Sequence, residues 1–182
     1  MNSPLPGHSA PRASFDAPLA MLAQCHDRAG AQVSTLRRLL EHLPAHGADT
    51  QARDAATAVM RYFDIAARDH HADEEHDLFP ALLEAMAGSD AVCLRQLTDT
   101  LRGEHRQLEA LWHALRPQLS AIAAGSAAGL DERAVDALIR GYQSHIERED
   151  GELLPLAARL LDATALAHMG QAMRTRRGIQ AE

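Results

Sequence analysis

Apolar side chains recur every three to four residues through four long stretches of this chain, separated by short breaks marked by Pro, Gly or Asp. That period is the signature of helices with one buried stripe, so it constrains the chain to an all-helical fold before any motif is read. The first stretch runs from Asp16 to His42, with Leu19, Leu22, His26, Val33, Leu36 and Leu40 on one side, and stops at Pro44-Ala45-His46-Gly47. The second starts at Asp49, an N-cap residue, and carries Val59, Phe63, Ala66, His70, Glu74 and Leu78. Pro80 is expected to kink it or end its regular part, and Gly88-Ser89-Asp90 closes it. The third stretch, Asp90 to Ala124, shares Leu94, Leu97, Leu101, His105, Leu108 and Trp112 on one face, with Pro117 bending its end. Asp131 then caps a fourth, which carries Val135, Leu138, Tyr142, His145, Glu149 and Leu153 and meets Pro155 near its end. A last short helix, Thr164 to Arg174, is expected to pack on the outside.

Composition agrees with helices. Hydrophobic residues make up 46% but aromatics only 3%, so the core must come from Leu, Ala, Val, Ile and Met, among them the strongest helix formers. A length of 182 residues suits one domain. Short connections imply antiparallel neighbours. The expectation is an up-and-down antiparallel four-helix bundle over residues 15–177 with a short extra C-terminal helix. Residues 1–14 and 178–182 read as tails.

Charge and cysteine usage exclude several function classes. The net charge is −7, every basic residue is Arg, and no long basic stripe appears, so nucleic acid is not the expected partner. Cys25 and Cys93 form no CxxC pair, which argues against a zinc ribbon or a disulfide framework and for two reduced thiols. Met1–Ser14 holds three prolines and no apolar core of a signal peptide, and no apolar run reaches transmembrane length. A soluble, cytoplasmic protein with no membrane partner is expected.

The chemistry lies in the stripes. His-x-x-x-Glu on a helix puts an imidazole and a carboxylate one turn apart on one face, and it occurs twice, as His70/Glu74 and His145/Glu149. The segments DHHADEEHDLFP and SHIEREDGELLP superimpose these pairs when Pro80 is aligned on Pro155. The other two helices each carry one inward histidine, His26 and His105. Any of these alone is most often a hydrogen-bonded core residue or a solvated pair. Together they would converge four imidazoles and two carboxylates on one core, at a desolvation cost that needs a cation to offset it. Four nitrogens and two bridging carboxylates suit two metal ions, with an oxo or hydroxo bridge and an open position for a small molecule. Imidazole and carboxylate without thiolate fit iron or manganese, and zinc remains open. His71 and Glu75 form a competing pair, but Asp64 and Arg68 charge the face upstream of His71, whereas Phe63 and Ala66 lie upstream of His70. That register assigns His70 and Glu74 to the metal and leaves His71 and Glu75 at the rim, either as groups behind the ligands or as a solvated pair.

A His in the first helix, HH-x-x-E-E-x-x-LFP in the second, Glu104-His105 in the third and H-x-x-x-E-x(5)-P in the fourth resemble the hemerythrin-like HHE cation-binding family, from Asp16 to Leu161. The resemblance implies a non-haem di-iron centre ligated by His26, His70, Glu74, His105, His145 and Glu149. This ligand set is similar to that of bacterial di-iron proteins associated with repair of damaged iron centres, whose cysteine-containing N-terminal domain has no counterpart in these residues. Oxygen-carrying hemerythrins have a second His one turn after the third-helix His, where this chain has Glu109, so reversible oxygen carriage is not implied. They also have Asp five residues after the last His, the place of Asp150. The expected function is a di-iron protein meeting O2, NO or peroxide in sensing, stress response or iron-centre repair. The alternatives are iron storage or donation, and a metal-free helical interaction module that uses the acidic surface or Arg174, Arg176 and Arg177. Those arginines are otherwise expected to complement a helix C-terminus.

Overall fold

The computed structural model describes residues 14–86, 91–126 and 129–179, so the Gly88-Ser89-Asp90 break lies outside the described residues. Helix α1 (Pro18–His46) starts with Pro at its first turn, where a missing N–H costs nothing. It ends at Gly47, whose φ of 63° is the left-handed conformation that glycine adopts without strain. The sequence placed the stop at Pro44-Ala45-His46-Gly47, and the helix passes through Pro44 to end within that segment. Pro44 removes one backbone bond on an exposed face, where water can take the freed carbonyl.

Helix α2 is one continuous rod in five parts. Its α-helical pieces are Thr50–Arg61, Ala67–Asp73 and Phe79–Ala85, joined by π-helical turns at Tyr62–Ala66 and Glu74–Leu78. Asp49 caps it as expected, accepting from the Ala52 N–H at 2.8 Å. Helix α3 (Ala91–Ala123) continues past Pro117, another exposed proline. Helix α4 repeats the α2 construction, with Glu132–Arg148 and Leu154–Leu160 joined by a π turn at Glu149–Leu153. Asp131 caps it through the Arg133 and Ala134 N–H groups. Helix α5 (Ala163–Arg176) is capped by Asp162.

Pro80 and Pro155 therefore neither end nor break their helices. Each follows a π turn in which the N–H before the proline reaches back five residues, Phe79 to the Glu74 carbonyl and Leu154 to the Glu149 carbonyl. The wider turn absorbs one extra residue, which relieves the clash between the proline ring and the carbonyl four residues back.

Helix α1 packs against α2 and α4, and α3 packs against the same two, giving the four-helix bundle. Its core forms two apolar layers. One gathers Val33, Leu36, Val59, Phe63, Leu115 and Leu138, among others. The second gathers Leu22, Leu78, Phe79, Leu101, Leu153 and Met173. Burying each such side chain contributes roughly 1.5–3 kcal/mol, so both layers are strongly held. The polar residues of the stripes lie between them.

Helix α5 is more than an outer appendage. Met169 and Met173 enter the second layer, and Gly170 lies so close to the Phe15 backbone that a Cβ would meet its carbonyl at 2.0 Å. Arg176 and Arg177 do not serve their own helix end alone. Both pair with Asp73, which is fully buried in α2, and Arg176 also reaches Asp77 at 2.8 Å. Arg174 pairs with Asp16 at 2.6 Å. Among the described residues no helix is long and apolar enough to cross a membrane.

Candidate metal centre

All six residues singled out by the stripes meet in the polar layer. On α2, His70 Nε2 lies 3.5 Å from Glu74 Oε1, and on α4, His145 Nε2 lies 3.3 Å from Glu149 Oε1. The single histidines approach the carboxylates across the bundle, His105 Nε2 to Glu74 Oε2 at 3.3 Å and His26 Nε2 to Glu149 Oε2 at 3.1 Å. The donor atoms fall into two sets, each within 4.8 Å: His26, His70, Glu74 and Glu149, and His105, His145, Glu74 and Glu149. The two glutamates are common to both.

Three of the four imidazoles are oriented from behind by a carboxylate on a neighbouring helix. His26 donates its Nδ1–H to Asp150 at 2.7 Å, His105 to Glu75 at 2.6 Å, and His145 to Glu104 at 2.9 Å. Arg148 in turn donates to the other Glu104 oxygen at 3.1 Å. With Nδ1 protonated, a neutral ring presents a bare lone pair at Nε2, and in each case that atom faces a Glu74 or Glu149 oxygen. Acceptor then faces acceptor, which is tenable only with a cation between them, whether a proton or a metal ion.

The hydrogen-bond accounting says the same. Nε2 of His26, His105 and His145 and all four oxygens of Glu74 and Glu149 are buried without a hydrogen-bond partner. Both glutamates are 0% exposed. Native interiors leave few such atoms, so seven in one layer mark a place built for something else. Burial, reinforced by the Glu149 charge, pushes the Glu74 carboxyl up to about 8. Glu149 is held well below the usual carboxylate range despite its burial, by His105 and His26. Burial drives His70 down to about 3. His26 rises to about 9 and His105 to about 10, where their carboxylate partners outweigh burial. The donor set is imidazole and carboxylate with no thiolate, and it fits a hard-to-borderline divalent or trivalent cation.

Glu75 sits at the rim, as the sequence suggested, and orients His105. The roles of Glu104 and Asp150 are not visible from the stripes. Each orienting carboxylate is the immediate neighbour of a stripe residue, about 100° around its helix, and so faces the adjacent helix rather than the centre. Glu109 turns outward, more than half exposed, beside His113 at 3.5 Å. It is absent from both donor sets.

His71 lies at the rim but half-buried rather than solvated: its ring stacks on His105 with centroids 4.0 Å apart, and its Nε2 is buried without a partner. The reason is the π turn at Tyr62–Ala66. It inserts a residue, so Ala67 rather than Ala66 lies in the core, and His71, one turn after Ala67, is swung inward with it. A cavity of about 490 Å³ between α2 and α3, walled by Phe63, Trp112 and Tyr142, reaches His71 and His105 from outside.

The family model described as "Hemerythrin HHE cation binding domain" matches residues 17–157. A Haemophilus influenzae protein described as "Uncharacterized protein" is 30% identical over 168 residues, covering 92% of this chain and 94% of the relative.

Proposed function

The chain belongs to the hemerythrin HHE cation-binding domain family, and from that premise we propose that it holds two iron ions and presents them to O2, NO or peroxide in sensing, stress response or iron-centre repair. His26 and His70 would hold one ion and His105 and His145 the other, with Glu74 and Glu149 common to both donor sets. The observation that carries this reading is the set of four buried carboxylate oxygens without any hydrogen-bond partner, each facing imidazole nitrogens. Bound iron would supply the redox and small-ligand chemistry that no side chain here provides.

The protein's own residues do the rest. Asp150, Glu75 and Glu104 fix the tautomer and direction of three imidazoles, so Nε2 is left free to ligate. The apolar layers above and below keep bulk water from the carboxylates. The cavity lined by His71, His105 and Tyr142 is wide enough for a diatomic molecule or peroxide and reaches the inner histidines.

Metal analysis tests the assignment. Aerobically purified protein is expected to carry about two iron per chain, with ligand-to-iron absorption in the near-ultraviolet. Glu74→Ala or Glu149→Ala should lose both ions together, because each carboxylate serves both. Stopped-flow mixing of the reduced protein with NO, O2 or peroxide should give a rapid optical change with at least one of them. A purified protein that stays metal-free when iron is supplied, and is no less stable for it, would sink the reading.

A further inference from the structure

We propose that the cavity between α2 and α3 is a binding site for a small aromatic carboxylate, gripped at its mouth by Arg68 and Arg106. Its volume is about 490 Å³. That is an order of magnitude more than a diatomic molecule or peroxide fills, since a water in the liquid takes only about 30 Å³. It lies within the range of sites for small organic molecules, roughly 300–1,000 Å³. The chain has one Trp, two Tyr and three Phe, and one of each lines this space. Phe63 joins the other two, its ring centroid 4.9 Å from that of Trp112 and 5.1 Å from that of Tyr142. The His71 ring continues the wall, at 19° to that of Tyr142. In a chain so poor in aromatic side chains, this wall offers an incoming ring the offset and edge-to-face contacts that aliphatic residues lack.

The charged groups of the lining select an anion. Each of its carboxylates is already engaged. Asp64 accepts from Trp112 Nε1 at 3.0 Å and pairs with Arg116 at 2.9 Å. Glu75 orients His105, and Glu109 lies beside His113. Arg68 on α2 and Arg106 on α3 line the same space, are exposed, and form no ion pair among the described residues. Rings within and free guanidiniums at the mouth suit a flat acid that enters ring first. Its carboxylate then stays at the surface, where the planar guanidinium forks match it. The inner end of the cavity reaches His71 and His105. Under the two-iron reading, on which this consequence rests, a lodged acid blocks the path of small molecules to the centre and slows its reactions.

Calorimetric titration of the full chain with hydrocinnamate tests this, while the emission of Trp112, the chain's only Trp, reports where the ligand lies. The uncharged hydrocinnamamide and the cationic phenylpropylamine are the comparison ligands. The acid is expected to change Trp112 emission and to bind about tenfold more tightly than the amide, because hydrogen bonds to charged groups are the stronger ones. The amine should bind more weakly still. Arg68→Gln and Arg106→Gln alter exposed side chains and leave the core untouched. Each should weaken the acid about threefold, as loss of an exposed charge pair does, and leave the amide unchanged. Equal binding of all three ligands, or no binding of the acid, would overturn the proposal. So would acid binding that neither variant weakens, or that leaves Trp112 emission unaltered. In iron-loaded protein, saturating acid should slow the reaction with NO. Binding without slowing would keep the acid site and overturn the cavity as the path to the centre. The calorimetry needs no metal, so a protein that binds the acid but no iron would overturn the two-iron reading alone.

Discussion

Three carboxylates hold three imidazoles of the candidate site in place. Glu104 orients His145 and is itself fixed by Arg148, so it is the best constrained of the three. Glu104→Ala is expected to weaken metal binding about 10- to 100-fold, the usual cost of losing a group that orients a ligating histidine. Glu75→Ala should act comparably through His105. Asp150→Ala should do least, because Asp150 is about half exposed and water can replace it. Competition against a chelator of known affinity measures all three, and an Asp150 effect larger than that of Glu104 would contradict this order. The six stripe residues were legible in the sequence because helical spacing alone puts them on inward faces. The orienting carboxylates were not, because they lie beside the stripe and act on a different helix. His70 is the exception among the four histidines, with a buried Nδ1 that has no partner.

Among the elements, the four main helices and the caps Asp49 and Asp131 were readable from period and punctuation. Pro80 and Pro155 misled because their standard penalty assumes an α-helix, and a π turn evades it. The same wide turns explain why His71 lies deeper than a period of 3.6 residues places it, since that period does not count the inserted one. Helix α5 was undervalued because its hold on the bundle comes from two methionines, a glycine and two arginines rather than from a continuous stripe. That hold is testable. Asp73 is 0% exposed, directly precedes Glu74, and depends on Arg176 and Arg177 for compensation. Arg176→Ala combined with Arg177→Ala strands a buried carboxylate and is expected to cost about 3 kcal/mol in denaturant unfolding. Replacing Asp73 by Asn in the same background should recover part of that loss. If the double arginine variant unfolds like the parent, α5 does not secure the metal-bearing helix.

The molecule as a whole faces a choice between protons and metal at its centre. In metal-free protein Glu74 titrates near 8, His26 near 9 and His105 near 10, all raised above their ordinary values. A raised value stabilises the fold below the ordinary one and stops doing so as pH climbs through the raised one. The metal-free protein should therefore lose thermal stability between about pH 6.5 and 10, while the iron-loaded protein, whose ligands would already be deprotonated, should show little such slope. Parallel slopes for the two forms would refute this. The polar layer also has a symmetry that bears on what such a chain can become. Each half is a hairpin with one histidine on its first helix and His-x-x-x-Glu before a proline on its second, and the rear carboxylates Glu75 and Asp150 correspond as well. Two copies of one such hairpin could enclose a centre, but its two donor sets would be twins. Fusing the copies lets equivalent positions diverge. Cys25 stands where the other half has Glu104, which leaves His70 without the brace given to His145, and Ile146 stands where the first half has His71. Two unlike half-sites are open to the fused chain and closed to the paired one.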